Sequence, residues 1–378
     1  MRIRRIASAA AALSIAAVSV PASPAFADSV RDRQWHLRSL NIAQTRPIST
    51  GSGVVVAVLD SGTYPHPDLR RNLLNGTDEI AGSGNGKVDS IGHGTNMASL
   101  IAAHGKTTNS GVQGIAPSAK ILPVRISKVG KDIQPTTLAS GIKWAADHDA
   151  KVINVSAGTG PDFALQDAVD AALDGDAVVV AASGNTSSDA VINFPAALDG
   201  VLAVGATGRN GKYSPISVKD PKVQICAPGV DITSAQPKDR YVTVSGTSES
   251  TAIVSGAVAL VRAKFPDLSG PEVIERITST ADDIGPPGRD NECGFGLLNI
   301  VKALTADAPA GGTPTSAAAS SAAATTAPAT LPPTSATASD DGAEPASSAT
   351  PLVLGGLAGL VVAGGLVAAL AVRRRRRL

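Results

Sequence analysis

Three segments of this chain carry side chains that could act together on a substrate. Asp60 ends the apolar run Val56-Ala57-Val58-Leu59 and is followed by Ser61-Gly62. His93 sits in Gly92-His93-Gly94-Thr95 and opens a helical pattern that continues through Met97 and Leu100. Ser248 lies in Ser245-Gly246-Thr247-Ser248, just ahead of an apolar helical pattern from Thr251. Each alone has a plain structural use, since Asp closes turns and Ser caps helices. Together they answer a chemical need. A hydroxyl is a weak nucleophile until a histidine takes its proton, and a carboxylate orients that histidine. The combination points to acyl transfer, with Ser248 as nucleophile, His93 as general base and Asp60 as orienter.

Residues this far apart in sequence meet only on a scaffold that brings them together. Apolar runs of strand length recur at Val54–Leu59, Ile121–Val124, Val152–Val155, Ala177–Ala182 and Val201–Val204. They are nearly unbroken by polar residues, as in strands buried on both faces. Helical patterns lie between them at Asn96–Ala103, Thr137–Asp147 and Phe163–Leu173, and after them at Thr251–Lys264 and Pro271–Thr280. The alternation predicts an α/β fold, a doubly wound parallel sheet with helices on both faces. Ligands of such sheets sit at the carboxyl ends of strands, which is where Asp60 falls.

The chain order Asp, His, Ser is that of subtilisin among the unrelated folds that use this triad. Val58-Leu59-Asp60-Ser61-Gly62, Gly92-His93-Gly94-Thr95 and Gly246-Thr247-Ser248 resemble the three signature segments of the subtilases. The resemblance implies a serine endopeptidase acting on polypeptides through an acyl-enzyme, with no cofactor and no catalytic metal. It also implies that Asn185, in Ala182-Ser183-Gly184-Asn185, donates to the oxyanion, and that Ser156-Ala157-Gly158 pairs with an extended substrate by strand addition. Within the subtilases the chain is most similar to the mycosins, membrane-anchored proteases associated with type VII secretion in actinobacteria. The marks are Gln34-Trp35-His36-Leu37, Phe265-Pro266-Asp267-Leu268-Ser269, Gly294-Phe295-Gly296 and the organisation of the C-terminal part. That resemblance implies secretion-system membrane components as partners. The rival reading is a structural subunit that steadies a membrane secretion complex, its protease site secondary.

The two ends of the 378-residue chain have compositions that no globular core uses. Residues 1–27 begin with Arg2, Arg4 and Arg5, run apolar from Ile6 to Val20 and close on Ala25-Phe26-Ala27, as a cleaved signal peptide does. An uncleaved anchor is the alternative, but the run is short for a bilayer. Residues 28–307 are the expected peptidase domain with a short N-terminal extension, too short between Asp28 and Asp60 for a separately folding pro-domain. From 308 to 350 the chain is almost wholly Ala, Ser, Thr, Pro and Gly, with Leu331 its one large aliphatic residue, and reads as a disordered tether. Residues 351–372 are uncharged, and a helix of that length spans about 33 Å against a hydrocarbon layer of ~30 Å. The Arg-rich tail, 373–378, places its side of that helix in the cytoplasm and the peptidase domain outside. A cell-wall sorting signal is the alternative for the tail, but Ser335 stands where a Gly is expected.

Net charge is +1 and aromatics are 3% of residues, so neither a phosphate-binding stripe nor a base-stacking platform is present, and nucleic acid is excluded as a partner. The two cysteines, Cys226 and Cys293, lie in the exported part, where they are expected to pair as one disulfide; independent core cysteines are the alternative. The loop Asn75–Asp89 is rich in Asn and Asp but lacks the ordered spacing of a calcium loop, and reads as plain surface. The clearest departure from the subtilase pattern is Glu249, directly after the nucleophile, where the family usually has an uncharged residue. It either opposes the developing oxyanion or points to solvent and caps the following helix.

Overall fold

The computed structural model describes residues 29–107, 110–128 and 133–307. The expected signal peptide, tether, membrane helix and Arg-rich tail lie outside the described residues. Among those described, no helix is long and apolar enough to cross a membrane.

Seven strands form one parallel sheet: β1 (Val55–Asp60), β2 (Thr77–Asp78), β3 (Lys120–Arg125), β4 (Val152–Val155), β5 (Val178–Ala182), β6 (Leu202–Thr207) and β7 (Ile225–Pro228). Their spatial order is β2-β3-β1-β4-β5-β6-β7, each neighbour parallel to the next. The strand pattern predicted from the apolar runs is therefore present, extended by β2 and β7. Alternate side chains of each strand enter opposite cores, as period-2 geometry requires. Val56, Val58, Val152, Val178 and Val180 face one core, whereas Ala57, Leu59, Ile153, Val155 and Val179 face the other.

The first core is covered by α4 (His93–Ala102), α7 (Thr247–Lys264), α8 (Gly270–Ser279) and α9 (Ile300–Thr305); the second by α5 (Pro135–Asp147) and α6 (Phe163–Asp174). The helices start and end within a few residues of their patterns, with one consequential difference. Helix α7 begins at Thr247 rather than Thr251, so Ser248 sits inside its first turn and Gly246 is the cap residue. This helix is buried almost all round, from Thr247 to Arg262. Such a helix needs its polar side chains bonded internally: Ser250 Oγ donates to the Ala227 carbonyl, and Ser255 Oγ to Asn154 Oδ1 at 2.9 Å.

A two-stranded antiparallel hairpin, β8 (Ile232–Gln236) with β9 (Arg240–Val244), stands apart from the sheet. Ahead of β1, three short helices, α1 (Ser29–Arg33), α2 (Trp35–Ser39) and α3 (Ile42–Thr45), pack on the domain. Gln34 forms a two-way amide pair with the backbone of Gln113, at 3.0 and 2.8 Å, and the Trp35 indole N–H is shared by the carbonyls of Val230 and Asp231. Arg31 donates to the Gly111 carbonyl at 2.9 Å. The N-terminal segment is thus a strap across the 110–113 loop and the hairpin. Cys226 of β7 is disulfide-bonded to Cys293 across 67 residues of sequence.

Candidate active site

Strands β1 and β4 are neighbours, yet the chain leaves them for opposite sides of the sheet. The crevice at their carboxyl ends is where a doubly wound sheet binds ligands. Asp60 is the last residue of β1 and Ser156 follows β4 directly. A cleft of about 410 Å³ opens there, lined among others by Asp60, His93, Ser156, Ala157, Gly158, Asn185 and Ser248. Every site residue expected from the sequence, the two cysteines apart, therefore lines one cavity.

The Asp60 carboxylate is buried, and both its oxygens approach His93 Nδ1, at 2.9 and 2.8 Å. Its Oδ1 also accepts from the Ser61 backbone N–H at 2.7 Å. The approach depends on missing side chains: a Cβ on Gly94 would lie 2.0 Å from the Gly62 carbonyl oxygen. Only glycine lets the start of α4 press against the end of β1.

Sequence reasoning missed the residue that holds this corner together. Asp89, expected in a plain surface loop, is buried, and its carboxylate accepts from the backbone N–H groups of Ile91, Gly92 and Thr95 and from the Ser61 hydroxyl. It ties the loop to the first turn of α4, where an anion is favourable, and so fixes the residue that carries the imidazole. The 75–89 loop is not plain surface at that end.

Burial works against charging the His93 ring, but the Asp60 carboxylate, followed by Glu249 and Asp89, outweighs it and raises the pKa to about 9. An imidazolium has no lone pair to accept a hydroxyl proton. The Ser248 hydroxyl donates to the Ser156 carbonyl at 3.2 Å, and among the described residues no hydrogen bond joins it to His93.

Asn185 Oδ1 accepts from the Thr247 N–H at 2.9 Å and its hydroxyl at 3.2 Å, which leaves the Nδ2 protons to face the cleft. The Ser248 N–H belongs to the first turn of α7 and has no intrahelical partner. Asn185 and Ser248 both line the cleft, the latter at the positive end of an 18-residue helix, a setting that favours negative charge. Behind them runs a buried polar chain from Ser255 through Asn154 to Ser156, whose hydroxyl donates to the Ser248 carbonyl at 3.1 Å. Asn154 was also missed; its signal was a polar residue inside the run Val152–Val155.

Glu249 does not reach solvent. It is 3% exposed, and its Oε2 lies 2.8 Å from where a Cβ on Gly246 would be, a point only 3.6 Å from Asn185 Nδ2. The solvent-facing cap is thereby excluded. Burial raises its pKa to about 7, with His93 pulling the other way. Among the described residues, no group of three or more His, Cys, Asp or Glu side chains is arranged to hold a metal ion.

Residues 51–296 match the Subtilase family. The chain is 36% identical over 271 residues to a thermostable alkaline protease of Halalkalibacterium halodurans, covering 71% of this chain and 73% of that one. A solved structure described as the serine protease MycP1, an essential component of the type VII (ESX-1) secretion system, aligns with a TM-score of 0.65 and 33% identity, over 75% of this chain and 90% of that one. A chain in the periplasmic assembly of the ESX-5 inner membrane complex aligns with a TM-score of 0.68 and 31% identity, over 80% of this chain and 90% of that one. With its parallel α/β sheet and the shared cleft, the chain belongs to the subtilase family of serine endopeptidases, and the mycosins are among its structural neighbours.

Proposed function

We propose that Ser248 attacks the scissile carbonyl of a polypeptide, that His93 takes the hydroxyl proton and returns it to the leaving amine, and that Asp60 orients the ring. The Asn185 amide and the Ser248 backbone N–H hold the oxyanion, and Ser156-Ala157-Gly158 pairs with the extended substrate. The observation that carries this reading is the double approach of Asp60 to His93 Nδ1 in the same cleft as the Ser248 hydroxyl. Labelling by a fluorophosphonate tests it: the wild-type chain reacts, whereas Ser248→Ala and His93→Ala do not. Persistent labelling of Ser248→Ala overturns the assignment.

The likeness to MycP1 and to a chain of the ESX-5 assembly, joined to the signal-like and membrane-helix-like ends of the sequence, supports an exported enzyme anchored by residues 351–372. On this reading residues 28–307 work outside the membrane, in company with type VII secretion components. Loss of secretion in a Ser248→Ala strain supports a proteolytic role there; intact secretion that fails only when the whole chain is deleted supports the scaffold instead.

A further inference from the structure

The cleft beside Ser248 holds a carboxylate that the triad does not use. Asp189 lines the cavity together with Ser127, Ile133, Ala157, Gly158, Ala182 and Asn193. Its Oδ2 accepts from the Asn185 backbone N–H at 2.8 Å and the Ser188 hydroxyl at 2.9 Å, and its Oδ1 accepts from Asn193 Nδ2 at 2.6 Å. All three donors are neutral. A carboxylate offers about four acceptor positions, so one remains on Oδ1 and the charge has no counter-ion. Among the described residues no Lys, Arg or His forms an ion pair with it; Lys219, which lines a second surface depression that Asp189 also borders, is bonded to Glu292. The rest of the wall is apolar or uncharged, as at Ile133, Ala157 and Ala182, a surface along which an aliphatic stem lies easily.

The position of Asp189 along a bound peptide follows from its partner. It accepts from the backbone of Asn185, the same residue whose side chain faces the oxyanion position. The side chain nearest to Asp189 is therefore that of the residue whose carbonyl is attacked. We infer that Asp189 makes this endopeptidase selective for Lys or Arg immediately before the scissile bond. The inference rests on the reading of Ser248 as nucleophile and Asn185 as oxyanion donor. A carboxylate in the primary specificity pocket is a known means of selecting a basic residue, because any other occupant leaves the charge unpaired.

The test uses the full chain, its active sites counted by fluorophosphonate labelling, and peptides identical except for Lys, Leu or Glu before a reporter amide. The wild type should cleave the Lys peptide roughly 10- to 100-fold better than the Leu peptide by kcat/KM, and the Glu peptide worst. In Asp189→Asn the Lys-to-Leu ratio should fall at least tenfold. Equal cleavage of Lys and Leu by the wild type overturns the inference. So does an Asp189→Asn enzyme that labels normally but loses both substrates in equal proportion, the mark of mere loop support. If Asp189→Asn does not label at all, the wild-type preference decides, together with its weakening by salt. Failure of the nucleophile reading is separate, since it shows as labelling that survives Ser248→Ala.

Discussion

Replacing Glu249 by Gln keeps the size of the side chain and removes a buried charge next to Ser248, the proposed nucleophile. Glu249 titrates at about 7 and His93 at about 9, and the pKa of each is moved by the charge of the other. Opposite unit charges within one site, at an effective dielectric near 20, attract by about 2 kcal/mol, or about 1.5 pKa units. The two groups then titrate as a pair. Near pH 8 the wild type is mostly imidazolium with carboxylate, a form in which His93 cannot accept a proton. Losing the charge lets the ring deprotonate earlier and raises its neutral fraction roughly threefold at that pH. At pH 5 both groups are protonated in the wild type, so the two enzymes should have equal kcat/KM. Above pH 9 the profiles separate two effects. If Glu249 acts only through His93, the gain disappears as both rings become neutral; if the carboxylate also repels the oxyanion, the gain grows to tenfold or more, about 1.4 kcal/mol. Steady-state kcat/KM on one peptide from pH 5 to 10 reads all three regions. A profile with no gain anywhere, or a gain as large at pH 5 as at pH 8, would refute the electrostatic argument.

Asn185→Ala should lower kcat roughly 10²- to 10³-fold with KM little changed, since the amide is held by Thr247 for an oxygen that carries charge only in the transition state. Asn154→Ala should cost about 1–3 kcal/mol in urea unfolding, because the Ser156 and Ser255 hydroxyls would lose their shared partner in a fully buried setting. Replacing both Cys226 and Cys293 by Ser should cost about 2–5 kcal/mol by the same measurement, the range for releasing a long closed loop; a loss under about 1 kcal/mol would show that the 283–297 segment is held by its backbone bonds to Asp282 and Gln224 instead.

The sheet was legible because its strands are buried on both faces and so read as unbroken apolar runs. What escaped has specific physical reasons. Strand β2 is two residues long, and its pairing with β3 is set by Arg125 and Asp78, joined at 2.7 Å, rather than by any apolar pattern. The β8–β9 hairpin turns through Lys238 and Asp239, both at positive φ of 64° and 56°. The sequence there has no Asn-Gly or Gly-Gly pair, the usual mark of such a turn. Strand β9 is also only partly buried, so its alternation carries little hydrophobic contrast. Helix α7 read four residues short because Thr247, Ser248, Glu249 and Ser250 are polar, although all four are buried.

The residues that share the cleft were legible in the sequence; the charges around them were not. Asp60, His93 and Ser248 are marked by flanking glycines: Gly94 is required because its segment presses on Asp60 and Gly62, and Gly62, at positive φ, because the backbone of Gly86 and Val88 passes against it. Asp89 carries no such mark, since three of its partners are backbone N–H groups that only the folded turn presents. Glu249 was visible as an odd residue beside the nucleophile, but its direction was not. The cause lies three residues earlier: a side chain at Gly246 would collide with the carboxylate, so the glycine makes the inward space that Glu249 fills. Gly246 is thus needed to admit a buried acid beside Asn185, directly ahead of the turn of α7 that carries Ser248. Any substitution at Gly246 should therefore act on Glu249 as well as on the nucleophile, and its kinetic effect cannot be read as loss of the triad alone.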